Sequence, residues 1–477
     1  MPKTYLFYDT ETTGLNPCFD QILQFAAIRT DENFNELERY TFFIHLNPDV
    51  IPSPYAMITH RIRLDQLKTG QSEYEAIQTI HQLLNTPDTI SVGYNSLGFD
   101  DEFLRFSFYR NLLPPYTHQW VNSCSRLDLF PITMLYFLYK NDALIWPETN
   151  GKVNLKLENL STLNQLAKGQ AHDAMVDVEA ALALAKKLKS HEKMWTYVTD
   201  YFNKTIDGKR FQQLPLAFES IYAPHREALL ADSSLGVDKN YQAPVLCLGR
   251  HLHYKNQWIF LKLDEENLQK TTSDTISEHT RVFRKRFGEQ PILLPPLPRF
   301  LEKINSERLE LASQNKNWLK EHPNLLQLIC DYHLNYKYPP VPNADLDTIL
   351  YVNSFSTPAE DDQCRQFHQA DIQTKCALLS KFSNERLTMQ AIRLIGRNFS
   401  NELSNPEKNI FKNYLENIFS DEEEKNPVDF KNKKHLSPKK ALEQIASLKQ
   451  TPLDNAQLEI LQELEEYLTL SFIEDKI

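Results

Sequence analysis

Asp9 and Glu11 stand two residues apart at the end of YLFYDTET, an apolar run that reads as a strand. Residues i and i+2 of a strand face the same side, so the two carboxylates project together while Tyr8 and Thr10 face the other way. Carboxylates forced together repel unless a proton or a cation lies between them. Oxygen donors at a strand end suit Mg²⁺ or Mn²⁺. A D-x-E pair is short enough to arise by chance, and a solvated strand end would account for it alone.

Two later segments add to the pair. GYNSLGFDDEFLR (93–105) passes from a strand into a helix and sets Asp100 and Asp101 at the junction, where side chains face the crevice at a strand's carboxyl end. An acid there also favours the helix dipole, so one of the two can be a cap. Asp100 is read as the functional acid and Asp101 as its more exposed neighbour. In AHDAMVDVE, His172 and Asp177 are five apart and would diverge by roughly 140° on one continuous helix. They can share a site only if His172 lies on the loop before the helix, with Asp173 as N-cap. Alone, His172 reads as a surface loop histidine. Together, Asp9, Glu11, Asp100, His172 and Asp177 are the parts of two-metal phosphodiester hydrolysis. Histidine, titrating near neutrality, can take a proton from water.

These residues need elements to hold them. Runs at 4–9, 22–30 and 38–46 read as strands, 73–85 as a helix, TISVGYN as a strand, and 171–190 as an Ala-rich helix with lysines at its end. The first 190 residues therefore predict an α/β domain with a mixed sheet. Residues 243–264 read as two strands around a polar turn and 291–300 as a Pro-rich connector, inside a smaller mixed domain over 195–343 with a β-barrel-like part. Residues 344–477 read as helical, with Ser437 as an N-cap before Pro438 and an acidic, solvated loop at 420–427.

The 477 residues are too many for one core, and about three domains are expected. No apolar run has the ~18 residues of a spanning helix, and the N-terminus lacks a signal-peptide layout, so a cytoplasmic address is expected. The six cysteines form no C-x-x-C pair and read as reduced thiols. Eleven glycines, none in a phosphate-loop arrangement, argue against nucleotide-loop enzymes. The net charge of −11 argues mildly against nucleic acid, although the middle of the chain carries a small positive excess. Arg105, Arg110, Tyr116, Trp120 and Arg126 mix cations with rings after Asp100, as a single-strand site would, while Phe106 and Phe108 read as core. RVFRKRF (281–287) and KNKKHLSPKK (431–440) are either solvated runs or contacts for DNA or an acidic tail.

The three motifs, Asp9-Thr10-Glu11, Asn95 to Asp100 and His172 to Asp177, resemble those of the DEDDh 3′-to-5′ exonucleases. QFAAIRTD (24–31), GYNSLGFDDEFLRFSFYRN (93–111), IWPE (145–148), LKLENL (155–160) and AHDAMVDV (171–178) are similar to the bacterial exonuclease I family within that group. LYVNSFSTPAEDD (350–362) and IRLIGRNF (392–399) anchor the thinner match beyond residue 190. The resemblance implies a ribonuclease H-like exonuclease domain over 1–190, an SH3-like α+β domain over 195–343 and an α-helical domain over 344–477. It implies hydrolysis of single-stranded DNA from the 3′ end to 5′-mononucleotides, in DNA repair and recombination, with two Mg²⁺ for which Mn²⁺ substitutes.

On matching positions, Asp9, Glu11 and Asp177 would hold metal, Asp100 would assist, and His172 would be the general base. Glu11, Arg105, Tyr116, Trp120 and Lys156 would touch substrate. Lys156 stands where the family has arginine, which keeps the charge and loses the two-pronged contact. A monomer is implied, with the acidic C-terminal tail of single-stranded DNA-binding protein as partner, no membrane, and extra domains that enclose the strand. An exoribonuclease of the same superfamily and a non-catalytic single-strand-binding protein are the alternatives; all five site residues are present, which disfavours the second.

Overall fold

The computed structural model describes residues 2–169, 172–221, 223–352, 355–420, 422 and 424–472. Ala171 of the third motif, Asn353 and Ser354 of the 350–362 segment, and Asp421 and Glu423 of the acidic loop lie outside them. The chain divides into two compact units: Met1–Arg126, Ala167–Leu182 and Pro340–Ile477 form the first, Leu127–Leu166 and Ala183–Pro339 the second.

The first unit is organised by β1 (Thr4–Thr12), whose Leu6, Phe7 and Tyr8 are buried. β1 pairs antiparallel with β2 (Ile22–Thr30), from Tyr5 opposite Thr30 to Glu11 opposite Gln24, and β2 pairs antiparallel with β3 (Glu36–Phe43). On its other edge β1 runs parallel to β4 (Thr89–Gly93), and that pairing ends at Phe7 opposite Val92. With β5 (Ser125–Asp128) the order is β3-β2-β1-β4-β5, the mixed sheet expected from the α/β pattern. Because β4 stops short, Asp9 to Glu11 lie past its end, beside the open crevice at a parallel strand's carboxyl terminus. A register irregularity between Glu11 and Thr12 then ends the regular ladder with β2.

Helices seal one face of this sheet. The Glu73–Leu84 helix is capped by Ser72 and buries Ala76, Ile77 and Ile80 against Leu6, Phe25 and Ala27. The Asp100–Arg110 helix adds Phe103, Leu104 and Phe108 to the same core. The C-terminal helices belong to this unit as well. Ile445, Leu461, Leu464 and Leu468 share a core with Ile51, Met57 and Leu67, and Arg397 bridges Asp49 at 2.7 Å and Asp347 at 2.6 Å. The Pro438–Leu448 helix starts as its sequence suggests, the Ser437 side chain accepting from the Lys440 N–H.

In the second unit an antiparallel sheet carries the strands Val282–Lys285, Trp258–Lys262, Gln242–Arg250, Pro224–Ala231 and Ile292–Leu294 in that order, with Leu216–Glu219 added on Pro224–Ala231. The polar turn expected within 243–264 is there. The Pro-rich connector over 291–300 is not purely a connector: Ile292–Leu294 is a fully buried strand paired to Leu229–Ala231, and only then does the chain leave the sheet. All six cysteines are unbridged. Among the described residues no helix is long and apolar enough to cross a membrane.

Candidate active site

Past the end of β4, one cavity of about 190 Å³ is lined by Asp9, Thr10, Glu11, Tyr94, Asn95, Phe99, Asp100, His172 and Asp177. All five residues singled out for chemistry line it. β1 supplies the first two acids through its alternation. Asn95, in the left-handed region at φ 61°, turns the chain out of β4 into a 3₁₀ turn at Ser96–Gly98, and the next helix begins on Asp100. His172 lies on a turn before the Ala174–Lys189 helix with φ 65°, a conformation that costs a non-glycine residue energy. Asp173 caps that helix, its carboxylate accepting from the Met175 and Val176 N–H groups. That geometry lets a histidine and an aspartate five apart face one cavity. The His172 backbone N–H also donates to Asp177 Oδ2 at 3.2 Å.

Ligand atoms of Glu11, His172 and Asp177 all lie within 4.8 Å of one another. Burial pushes the Asp9 carboxyl far above the usual range, and the nearby Asp100, Glu11 and Asp177 push it further. Glu11 is pushed up to about 9, first by burial and then by Asp177 and Asp100. An acid cluster with so much mutual repulsion is a cation site in its donor chemistry, with carboxylate oxygens in the majority. The group that could hold a metal is therefore Glu11, His172 and Asp177, with the Asp9 and Asp100 carboxylates lining the same cavity.

Two expectations need correction. Asp101 is not the exposed neighbour: it is completely buried, with Arg105 Nη2 and Arg126 Nη1 each 2.6 Å from Oδ2 and His118 Nε2 2.8 Å from Oδ1. Burial alone would raise its pKa, but the two guanidiniums outweigh that and hold it far below the carboxylate range. Thr10, expected to turn wholly away from the acids, reaches Asp100: its N–H and its Oγ1 both donate to Asp100 Oδ1, at 3.1 and 2.6 Å.

Of the residues expected at substrate, Arg105 is buried in ion pairs with Asp101 and Glu102, and its guanidinium sits 5.8 Å from the Tyr116 ring. Tyr351 joins this group, donating to Glu102 Oε2 at 2.5 Å and accepting from Arg105 Nη1 at 3.2 Å. Trp120 is 69% exposed. Lys156 lies in the second unit, solvent-exposed and 3.6 Å from the Glu158 carboxylate. Sequence reasoning did not single out Tyr94 and Phe99 as cavity-lining residues, though Phe99 lies within the second motif and Tyr94 just before it, nor the support given by His118 and Tyr351.

The chain matches the family model for the exonuclease domain over residues 6–185 and that for the exonuclease I C-terminal domain over residues 344–470. It is 28% identical to exodeoxyribonuclease I of Escherichia coli strain K12 over 442 residues, 88% of this chain and 90% of that protein. It is 34% identical over 230 residues to exodeoxyribonuclease I of Buchnera aphidicola subsp. Acyrthosiphon pisum, covering 46% of this chain and 54% of that protein. Among solved structures, E. coli exonuclease I in complex with a dA16 oligonucleotide superposes with a TM-score of 0.86 at 25% identity, over 98% of this chain and 100% of that one.

Proposed function

We propose, for a chain that belongs to the exodeoxyribonuclease I family, that it hydrolyses single-stranded DNA from the 3′ end to 5′-mononucleotides. The observation that carries this is the single cavity lined by Asp9, Glu11, Asp100, His172 and Asp177. Two Mg²⁺, replaceable by Mn²⁺, fit the donor set, because the repulsion that raises Asp9 and Glu11 is what hard cations relieve. Bound there, they would supply an activated water and charge stabilisation at the leaving oxygen.

The chain's own residues do the rest. Asp9, Glu11 and Asp177 hold the cations, and Asp100 assists. His172, on the turn before the helix, can accept a proton at an imidazole nitrogen from the attacking water. Glu11 lies close to the terminal nucleotide. Tyr116 and Trp120 offer rings for base stacking, Arg105 orders Tyr116, and Lys156 meets the backbone as a point charge. The reading extends to domains over 1–190, 195–343 and 344–477, the second SH3-like, to a cytoplasmic monomer in DNA repair and recombination, and to the acidic tail of single-stranded DNA-binding protein as partner.

The test is digestion of 3′-labelled single-stranded DNA, RNA and blunt duplex, with Mg²⁺ and with EDTA. Release of mononucleotides from single-stranded DNA in Mg²⁺ alone is expected. Faster digestion of RNA would replace this reading with an exoribonuclease, and binding without cleavage would leave a single-strand-binding protein.

A further inference from the structure

The middle residue of Asp9-Thr10-Glu11 has work of its own. Strand alternation turns its side chain from the pair of acids, yet the hydroxyl and the N–H of Thr10 converge on one oxygen, Asp100 Oδ1, at 2.6 and 3.1 Å. Thr10 and Asp100 are 4% and 5% exposed, so water competes little for those bonds. Any residue but proline at position 10 would supply the N–H; the second donor is the threonine hydroxyl itself, which an apolar side chain cannot replace. Packing does not call for threonine, since valine has the same branched shape and equal aptitude for a strand. The neighbouring threonines are engaged elsewhere, Thr12 Oγ1 on the Gly14 carbonyl and Thr13 Oγ1 on Asp20.

Two donors on one oxygen fix the rotation of the Asp100 carboxylate. We propose that Thr10 is a positioning residue that acts through Asp100, its hydroxyl setting the direction in which that carboxylate meets the metal. This inference rests on the exonuclease reading above. Partners that orient metal-binding carboxylates typically matter by 10–100-fold in affinity or rate, roughly the effect expected here.

The experiment compares Thr10→Val, Thr10→Ser and Thr10→Ala in the full chain. It measures kcat and KM on 3′-labelled single-stranded DNA, the Mg²⁺ concentration for half-maximal rate, the rise in Tm on adding Mg²⁺ without DNA, and single-strand affinity in EDTA. Thr10→Val is expected to lower kcat or raise the Mg²⁺ requirement by about 10–100-fold. Its Mg²⁺-induced rise in Tm should shrink, with KM and the EDTA affinity unchanged. Thr10→Ser should restore most of the rate. Thr10→Ala removes the hydroxyl without adding an apolar group and serves should valine not fold. A hydroxyl-free variant with wild-type kcat and Mg²⁺ titration would overturn the inference, as would a serine variant as impaired as the valine one. Asp9→Asn runs alongside: if it cleaves normally, the exonuclease site itself is misassigned, which is a different failure from an inert Thr10.

Discussion

Arg126 holds Asp101 with Nη1 2.6 Å from Oδ2, both side chains nearly sealed from water, one residue along the chain from the acid that lines the cavity. Arg105 and His118 complete the grip, so the start of the Asp100–Arg110 helix is anchored by charge. Replacing Asp101 by leucine strands two guanidiniums in the interior. A loss of about 3–5 kcal/mol in urea denaturation is expected, with a fall in nuclease rate as Asp100 loses its foundation.

Glu11 gives a pH dependence. Its folded pKa is pushed up to about 9, above the unfolded value of 4.5, so the folded metal-free protein binds more protons than the unfolded one between those values. Stability in EDTA should therefore fall as pH rises from about 4.5 toward 9. Glu11→Gln never ionises; at pH 7 it should be more stable in EDTA by about 3 kcal/mol, with a flatter profile, while losing nuclease activity. Thermal melts across pH check both.

Mg²⁺ should raise the Tm of the wild-type protein, because a ligand that binds the folded state alone stabilises it. Asp9→Asn and Asp177→Asn should abolish most of that rise and the cleavage with it. An unchanged Mg²⁺ response in both variants would remove these residues from the metal site.

Lys156 is exposed and only loosely associated with Glu158, so it is available to a phosphate. Lys156→Ala should weaken single-strand binding and reduce the slope of log affinity against log salt by about 0.7, the value for one lost contact. Lys156→Arg should tighten binding through a two-pronged contact. Equilibrium titrations at several salt concentrations separate the outcomes.

Asp347 predicts behaviour in acid. Burial would raise its pKa, but Arg397 and Arg393 more than offset that and hold it at about 2, below the unfolded value of 3.8. Its contribution, about 2 kcal/mol, is complete above pH 4 and lost as pH falls through 2. Asp347→Asn should lower stability at pH 7 and make the acid limb of the stability curve shallower.

The motif acids and histidine were legible because each motif is local: a strand end, a strand-to-helix junction and a helix start are written in a few adjacent residues. Asp101 was not, since burial there depends on Arg105, His118 and Arg126 closing over it from three places along the chain. Thr10 was misjudged for a related reason. Alternation gives the direction of a side chain on its own strand, but the partner that Thr10 reaches comes from a segment ninety residues on. Ile292–Leu294 hid behind its prolines, and the shared core of Met57 with Leu461 joins segments no periodicity can pair.

That shared core bears on how the protein is made. The sheet that carries Asp9 is complete by residue 128, yet Ile51, Met57 and Leu67 remain without cover until helices beyond residue 438 leave the ribosome. Such long-range contacts close late and slowly. During synthesis the nascent chain therefore carries an uncovered apolar patch, and a fragment ending near residue 190 should aggregate more readily than the full chain.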